Sequence, residues 1–232
     1  MEAVRDGVAE LRGDAARHLT RVLRAQPGQQ YEISDNQAAY LAELTETHPE
    51  RAVFRVLERI EVPEPPVRVT LCAALIKFDR FEWIVEKATE LGVECILPVE
   101  TARVEKGLLE ASRKRTERWE RIARESSQQS RRVRVPRIET AASLARALAT
   151  PADYRYFLEE SGAPSFPRML PPSRKESGTA ALLVGPEGGW TDAERQAAAD
   201  AGWLAVGLGP QILRAETAAL AALAILLTAW MA

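Results

Sequence analysis

Two short loops near the end of the chain combine residue types that suit the binding of a charged small molecule. One reads Gly185-Pro186-Glu187-Gly188-Gly189-Trp190-Thr191, and the other reads Gly209-Pro210-Gln211-Ile212-Leu213-Arg214-Ala215-Glu216-Thr217. Glycines let a ligand approach backbone amides and carbonyls closely, and proline stiffens a turn. Glycine-rich turns also connect strands to helices without binding anything, so the loops indicate a ligand site only together with other features.

Several common chemistries lack their signatures. The chain has no Gly-x-x-x-x-Gly-Lys-Ser/Thr phosphate loop, and no Gly-x-Gly-x-x-Gly follows the first strand after the proline-rich connector. The two histidines, His18 and His48, both lie near the N-terminus, away from the glycine-rich loops. Metal-dependent and catalytic-triad chemistry are therefore poorly supported, and we expect no metal site.

Strands and helices alternate from Val67 onward, which predicts an α/β domain with a mostly parallel sheet covered on both faces. The strands are predicted at 69–75, 93–99, 133–138, 154–158, 180–184 and 203–208, and the helices at 79–91, 112–131, 140–149, 191–201 and 216–230. Asp79 with Glu82 and Thr191 with Glu194 have capping-box spacing, and 164–177 is predicted to be a loop. Both glycine-rich loops follow predicted strands, and ligands of open parallel sheets bind beyond the carboxyl ends of strands.

The first 66 residues predict a small β-rich domain. Strands are expected at 30–33, 38–44 and 52–60, after a helix capped by Asp14 that turns Leu19, Val22 and Leu23 inward. Pro63, Pro65 and Pro66 form a stiff connector. We therefore predict two domains, 1–66 and 67–232.

The charge is unevenly distributed. Residues 113–137 contain ten basic and three acidic side chains, whereas the whole chain of 232 residues has a net charge of −2. Such a cationic segment favours an anionic partner such as RNA, and the alternative is a solvated helix with internal ion pairs. The candidate phosphate contacts are Arg121, Arg124, Arg131, Arg132 and Arg134, with Arg17, Arg21 and Arg24 as a second group.

The remaining composition is typical of a cytoplasmic protein. Cys72 and Cys95 lack metal or redox spacing and are expected to be packed thiols. The start of the chain has no secretory pattern. The apolar run from Ala218 to Trp230 is alanine-rich and too short for a membrane span, so we expect it to pack in the core or against a second subunit.

Four motifs in order resemble the RsmE family of the SPOUT superfamily. They are Lys87-Ala88-Thr89-Glu90-Leu91-Gly92-Val93, Gln129-Ser130-Arg131, Val184-Gly185-Pro186-Glu187-Gly188-Gly189, and Leu208-Gly209 with Ile212-Leu213-Arg214-Ala215-Glu216-Thr217-Ala218. The resemblance implies a deep trefoil knot, an N-terminal PUA-like RNA-binding barrel and a homodimer. It also implies methylation of N3 of a uridine in small-subunit (16S) ribosomal RNA, with S-adenosyl-L-methionine as cofactor.

By the same resemblance, the two loops form facing walls of the cofactor site. The implied cofactor-binding residues are Leu158, Glu159, Val184, Gly185, Pro186, Glu187, Gly188, Gly189, Leu208, Gly209, Ile212, Leu213 and Thr217, and Glu160 is expected beside them. The chain departs from the family pattern at Gln29, Val104 and Ser126. These departures concern the RNA side more than the cofactor side.

Arg214 and Glu187 are the candidate catalytic residues. Removing the N3 proton of uridine places negative charge on the neighbouring carbonyl oxygens, which a positioned arginine would stabilise. Alternatively, Arg214 pairs with Glu216 or Glu187 and only shapes the loop. For Glu187 the alternatives are a general base, a helix cap and a residue that orients its loop. Two other functions stay open: a related methyltransferase acting on transfer RNA or another RNA site, and a non-catalytic RNA-binding ribosome assembly factor.

Overall fold

The computed structural model describes residues 4–160, 162–175 and 177–231, and the chain divides into two compact units, 1–63 and 64–232. The described part of the first unit contains strands β1 (Val8–Arg12), β2 (Gln30–Ser34), β3 (Ala39–His48) and β4 (Arg51–Ile60). They form an antiparallel sheet in the order β1-β4-β3-β2. The predicted β-rich module is thus confirmed, with β1 as a strand that the sequence pattern missed.

The helix of this unit differs from its prediction. Helix α1 (Gly13–Arg17) continues as a π-helical turn over His18–Val22, and Asp14 lies inside its first turn without capping it. Leu19 is buried, but Val22 and Leu23 are 65% and 59% exposed. A π-helical turn changes the angular spacing of side chains, so the 3.6-residue pattern placed these two residues on the wrong face.

The second unit is built on a parallel sheet of seven strands. They are β5 (Val67–Ala74), β6 (Cys95–Glu100), β7 (Arg137–Ile138), β8 (Ala142–Ser143), β9 (Tyr154–Leu158), β10 (Gly178–Val184) and β11 (Leu204–Val206). The order is β11-β9-β10-β5-β6-β7, with β8 also paired to β6. The mostly parallel α/β architecture is confirmed, whereas the trefoil knot stays a prediction.

Helices cover both faces of this sheet. They are α2 (Phe78–Leu91), α3 (Leu108–Ser112), α4 (Thr116–Gln129), α5 (Leu144–Leu148), α6 (Phe166–Met169), α7 (Asp192–Asp200) and α8 (Ala215–Met231). Successive residues of β10 alternate between the two apolar layers: Leu182 packs with the layer of α2, α4 and α8, and Leu183 packs with that of α5 and α7. Such two-sided burial explains the continuous apolar runs of the central strands.

Some helix boundaries depart from the sequence pattern. The helix predicted over 112–131 is present as α4, Thr116–Gln129, with shorter ends, and the short α3 before it was not predicted. The predicted loop over 164–177 contains α6. Asp79 and Glu82 form no capping box; instead, the Glu82 carboxylate accepts two hydrogen bonds from Arg118 on α4. Thr191 and Glu194 do form the predicted box at the start of α7. The spacing of Asp79 and Glu82 did not produce a capping box because the Glu82 carboxylate binds the guanidinium of Arg118 instead.

Within the described residues, no helix is both long and apolar enough to cross a bilayer. Over the same part of the chain, no group of three or more histidine, cysteine, aspartate or glutamate side chains could hold a metal ion. Cys72 and Cys95 are buried free thiols. Burial raises the pKa of Cys72 to about 12 and that of Cys95 to about 11, so both are protonated at neutral pH.

Candidate active site

A cavity lies where three neighbouring strands end. The strands β11, β9 and β10 are adjacent and parallel, so their carboxyl ends meet at one edge of the sheet. The segments that follow them line a cavity of about 590 Å³ that is open to solvent. The location agrees with the expectation that ligands bind beyond the strand ends.

Most of the predicted cofactor residues meet here. The cavity is lined by Leu158, Glu159, Glu160, Val184, Gly185, Pro186, Glu187, Gly189, Trp190, Leu208, Gly209, Gln211, Ile212, Leu213, Ala215 and Ala218. Gly188 and Thr217, which the resemblance also implied, are absent from the lining. Four lining residues, Trp190, Gln211, Ala215 and Ala218, were not assigned to the cofactor from the sequence.

Gly185 is required by the packing of a buried tryptophan. A Cβ atom at this position would lie 2.8 Å from Cε2 of Trp190, closer than nonbonded carbon atoms approach. The Trp190 ring cannot easily withdraw, because it is 1% exposed and its Nε1 donates a 2.9 Å hydrogen bond to the Leu158 carbonyl oxygen. Trp190 therefore connects the end of β9 to the loop after β10 and sets the floor of the cavity.

Gly189 serves the same loop through its backbone conformation. Its φ is +67°, a left-handed conformation that side chains rarely adopt, and a Cβ atom would lie 3.2 Å from Glu160 Oε1. The neighbouring Gly188 carbonyl accepts a 2.5 Å hydrogen bond from Arg103. The loop is thus held from outside the cavity as well as from below.

The carboxylates at the cavity are held by arginines from other segments. Arg195 on α7 contacts Glu159, with 2.5 Å between Nε and Oε2. Arg80 on α2 forms an ion pair with Glu187 and lies 3.9 Å from Glu216. The proposed alternative partners of Arg214 are therefore engaged elsewhere.

Arg214 itself is exposed and sits between Leu213 and Ala215, which both line the cavity. Among the described residues, its guanidinium has no hydrogen bond or ion pair. An unpaired cation beside a small-molecule cavity is available to a bound anion.

Comparisons with known proteins agree with this architecture. A family model described as an RNA methyltransferase domain matches residues 63–227, and one described as an RNA methyltransferase PUA domain matches residues 11–57. The chain is 34% identical to the ribosomal RNA small subunit methyltransferase E of Bacillus subtilis, covering 91% of this chain and 86% of that protein. The same protein of Mycobacterium tuberculosis is also 34% identical, with 96% and 88% covered.

The chain belongs to the ribosomal RNA small subunit methyltransferase E family. The RsmE-family resemblance and the RNA methyltransferase fold predicted from the motifs are confirmed.

Solved structures show the same fold. The ribosomal RNA small subunit methyltransferase E of Neisseria gonorrhoeae, bound to S-adenosyl methionine, is 33% identical with a TM-score of 0.87, covering 99% of this chain and 95% of that one. A putative methyltransferase of Legionella pneumophila, in complex with the same cofactor, is 28% identical with a TM-score of 0.86, covering 98% and 94%. In this family the fold therefore accommodates S-adenosylmethionine.

The residues of this cavity fit that cofactor. Ile212 is 80% exposed although it lines the cavity, so a flat apolar group such as adenine would cover it. Leu158, Val184, Leu208 and Leu213 add apolar surface, and the backbone of the glycine-rich loop adds donors and acceptors. A mostly apolar cavity with a few polar groups matches a ligand that joins an apolar ring to charged ends.

The arginine-rich segment around α4 contains both cations with side-chain partners and cations without them among the described residues. Four of its arginines are bound to other segments. Arg118 pairs with Glu82, Arg134 pairs with Glu64, and Arg132 donates to the carbonyl oxygens of Thr89 and Val93 at 2.7 and 2.8 Å. Arg115 lies 3.6 Å from Glu82 and stacks over the Phe78 ring.

The second group consists of Lys114, Arg121, Arg124 and Arg131, which are exposed and have no side-chain partner among the described residues. In the first unit, Arg17 pairs with Asp14 and Glu50, whereas the side chains of Arg21 and Arg24 are exposed and have no partner within that part of the chain. RNA contact by any of these arginines stays a prediction. Arg17, Arg132 and Arg134 are held by ion pairs or hydrogen bonds that sequence proximity does not reveal.

Proposed function

We propose that this protein transfers a methyl group from S-adenosylmethionine to N3 of one uridine in small-subunit (16S) ribosomal RNA. The observation that carries the proposal is the unpaired Arg214 beside a cavity that fits the cofactor. The names of the relatives support ribosomal RNA as the substrate, and the matching PUA-domain model supports RNA binding.

Each loop has a separate task in this proposal. The apolar lining holds the adenine, and backbone groups of the Gly185–Gly189 segment, residues 185–189, hold the polar end of the cofactor. The bound cofactor supplies an electrophilic methyl group. Arg214 contacts the uracil oxygens and stabilises the charge that develops when the N3 proton leaves, an effect worth about 3 kcal/mol for comparable donors.

Glu187 is assigned to loop geometry rather than to proton transfer. Its carboxylate is paired with Arg80, and this ion pair joins the loop after β10 to α2. Glu159 is held by Arg195 in a similar way. Since uridine N3–H is far more acidic than an amide N–H, we propose that the proton leaves to solvent while Arg214 stabilises the anion.

The free cations of α4 position the RNA. Lys114, Arg121, Arg124 and Arg131 contact phosphates without reading bases, and Arg21 and Arg24 of the first unit add contacts. We further propose that the protein works in the cytoplasm as a homodimer, with α8 contributing apolar surface, and that its substrate lies within the small ribosomal subunit. Sedimentation velocity at micromolar concentration tests the dimer.

Mass spectrometry of RNA from a strain lacking the protein tests the function. Loss of one N3-methyluridine from 16S RNA, restored by the wild-type chain and not by Arg214→Ala, is the expected result. Loss of a methyl group from transfer RNA or another ribosomal position would indicate a different target. Unchanged modification of all RNAs, together with no calorimetric binding of S-adenosylmethionine, would indicate a non-catalytic assembly factor.

A further inference from the structure

Arg80 lies outside the cavity lining but contacts both loops that form it. It sits in the first turn of α2, its side chain is 28% exposed, and it pairs with Glu187 in the loop after β10. Its Nε atom is 3.9 Å from Glu216 Oε1 in the first turn of α8. One guanidinium thus joins three segments that are far apart in sequence.

Glu216 shows why this contact matters. The residue is 8% exposed, and its Oε2 atom is buried without a hydrogen-bond partner among the described residues. A buried carboxylate is costly unless a cation lies nearby. Arg80 is the cation placed within salt-bridge distance of it in the part of the chain that the structure describes.

The same contact decides what Arg214 can do. Glu216 lies two residues after Arg214 in the chain, and Glu187 lines the cavity beside which Arg214 sits. Arg80 forms an ion pair with Glu187 and lies 3.9 Å from Glu216. With these carboxylates engaged, Arg214 keeps its charge uncompensated beside the cavity.

We propose that Arg80 is a positioning residue that fixes the two loops of the cofactor cavity and, by holding Glu187, leaves Arg214 free for the substrate. The second half rests on the proposed function. An arginine suits this task because its planar guanidinium presents several donors in fixed directions and can serve two carboxylates at once. A lysine supplies the charge at one point and serves one carboxylate well.

Calorimetry with S-adenosylmethionine tests the first half without relying on catalysis. For Arg80→Gln we expect the Kd to rise about tenfold or more, and for Arg80→Lys we expect an intermediate Kd. The matched control is Arg118→Gln, which breaks the ion pair between Arg118 of α4 and Glu82 of α2, away from the cavity lining. The Kd of this variant should equal that of the wild type. A wild-type Kd for Arg80→Gln would overturn the positioning role. If this variant fails to fold by circular dichroism, Arg80→Lys alone decides, and an unchanged Kd then overturns it.

Single-turnover methylation at saturating cofactor tests the second half. Arg80→Gln should lower the rate about tenfold because released Glu187 competes for Arg214, and adding Glu187→Gln should restore part of the rate while leaving the Kd high. A double variant no faster than Arg80→Gln would show that Glu187 does not capture Arg214. If the wild type does not methylate 16S RNA but the Kd differences persist, the proposed function fails and the positioning role stands.

Discussion

The cofactor cavity and the arginine-rich surface around α4 belong to the same unit but depend on different kinds of information. Most of the cavity lining comes from two contiguous loops, whose glycines and prolines can be read directly from the sequence, and the end of β9 completes it. The role of each arginine depends on partners such as Glu82, which is 36 residues from Arg118. The residues of the loops therefore predicted the cavity, whereas the sequence did not reveal which arginines have side-chain partners.

The largest effect is expected for Gly185→Ala. The added methyl group would collide with the ring of Trp190, which is buried and hydrogen-bonded, so the loop or the ring must move. Overpacking of this kind costs about 1–3 kcal/mol. Because the collision is relieved by moving the loop out of its binding geometry, we expect the Kd for S-adenosylmethionine to rise by roughly fivefold to 150-fold. Isothermal titration calorimetry measures this change.

Gly188→Ala is the matched control in the same loop. A Cβ atom there would meet only the flexible side chain of Arg103 at 3.4 Å, and Gly188 is not part of the cavity lining. We expect less than a threefold change in Kd. Equal effects of the two substitutions would contradict the view that Trp190 makes the cavity intolerant of a side chain at Gly185.

In the arginine-rich segment, the expected effect is on stability. Arg132 belongs to this charged segment, but its side chain is hydrogen-bonded within the fold. Arg132→Ala would leave the carbonyl oxygens of Thr89 and Val93 without their side-chain donor. Losing charge-assisted hydrogen bonds to buried acceptors lowers the free energy of unfolding by about 2 kcal/mol. Urea denaturation measures this, and the adjacent exposed Arg131→Ala should change it by less than about 0.5 kcal/mol. A similar loss of unfolding free energy in both variants would mean that the hydrogen bonds of Arg132 do not account for its effect.

Particular residues show how far the sequence predicts the molecule. The strand β9 spans the predicted range, Tyr154–Leu158, and Gly92 ends α2 in the left-handed conformation that glycine favours. The Thr191 and Glu194 box was also correct. In each case the determining atoms lie within a few residues of one another.

The parts that failed have determinants that are distant in sequence. Glu82 has capping-box spacing from Asp79 but binds Arg118, and Val22 and Leu23 are exposed because a π-helical turn replaces the α-helix. Trp190 belongs to the recognised loop, yet its contact with Gly185 depends on how the ring folds back toward Leu158. Arg80 carries no motif of its own. Its role follows from its position in space, where an arginine of the first turn of α2 lies beside glutamates of both loops.

The free group of cations predicts a smaller effect, visible in the salt dependence of RNA binding. The double variant Arg121→Gln/Arg124→Gln removes two of the proposed phosphate contacts, so the slope of log K against log salt should become shallower by about 1.4–1.8. Filter binding to a 16S fragment at about 50 to 200 mM salt measures this slope. Arg118→Gln, whose guanidinium is paired with Glu82, should leave the slope unchanged. An equal loss of slope in both variants would remove the distinction between paired and free arginines.

The smallest effect concerns Thr191 and Glu194, where local and distant information meet. Glu194 Oε2 accepts hydrogen bonds from the backbone and hydroxyl of Thr191, while Oε1 accepts one from the Ala102 backbone N–H at 2.8 Å. Thr191→Ala removes the cap, which contributes about 1 kcal/mol. Glu194→Ala keeps the backbone N–H that the Thr191 hydroxyl caps, but it removes the hydrogen bonds that Oε2 accepts from Thr191 and leaves the Ala102 N–H without its partner, so it should lower the free energy of unfolding further. Ser143→Ala at the start of α5, where the capping hydrogen bond is 3.4 Å long, is the control and should cost less than either. The difference between the Glu194 and Thr191 variants in urea denaturation measures the contact that the sequence does not reveal; equal losses would show that the local box accounts for the whole contribution of Glu194.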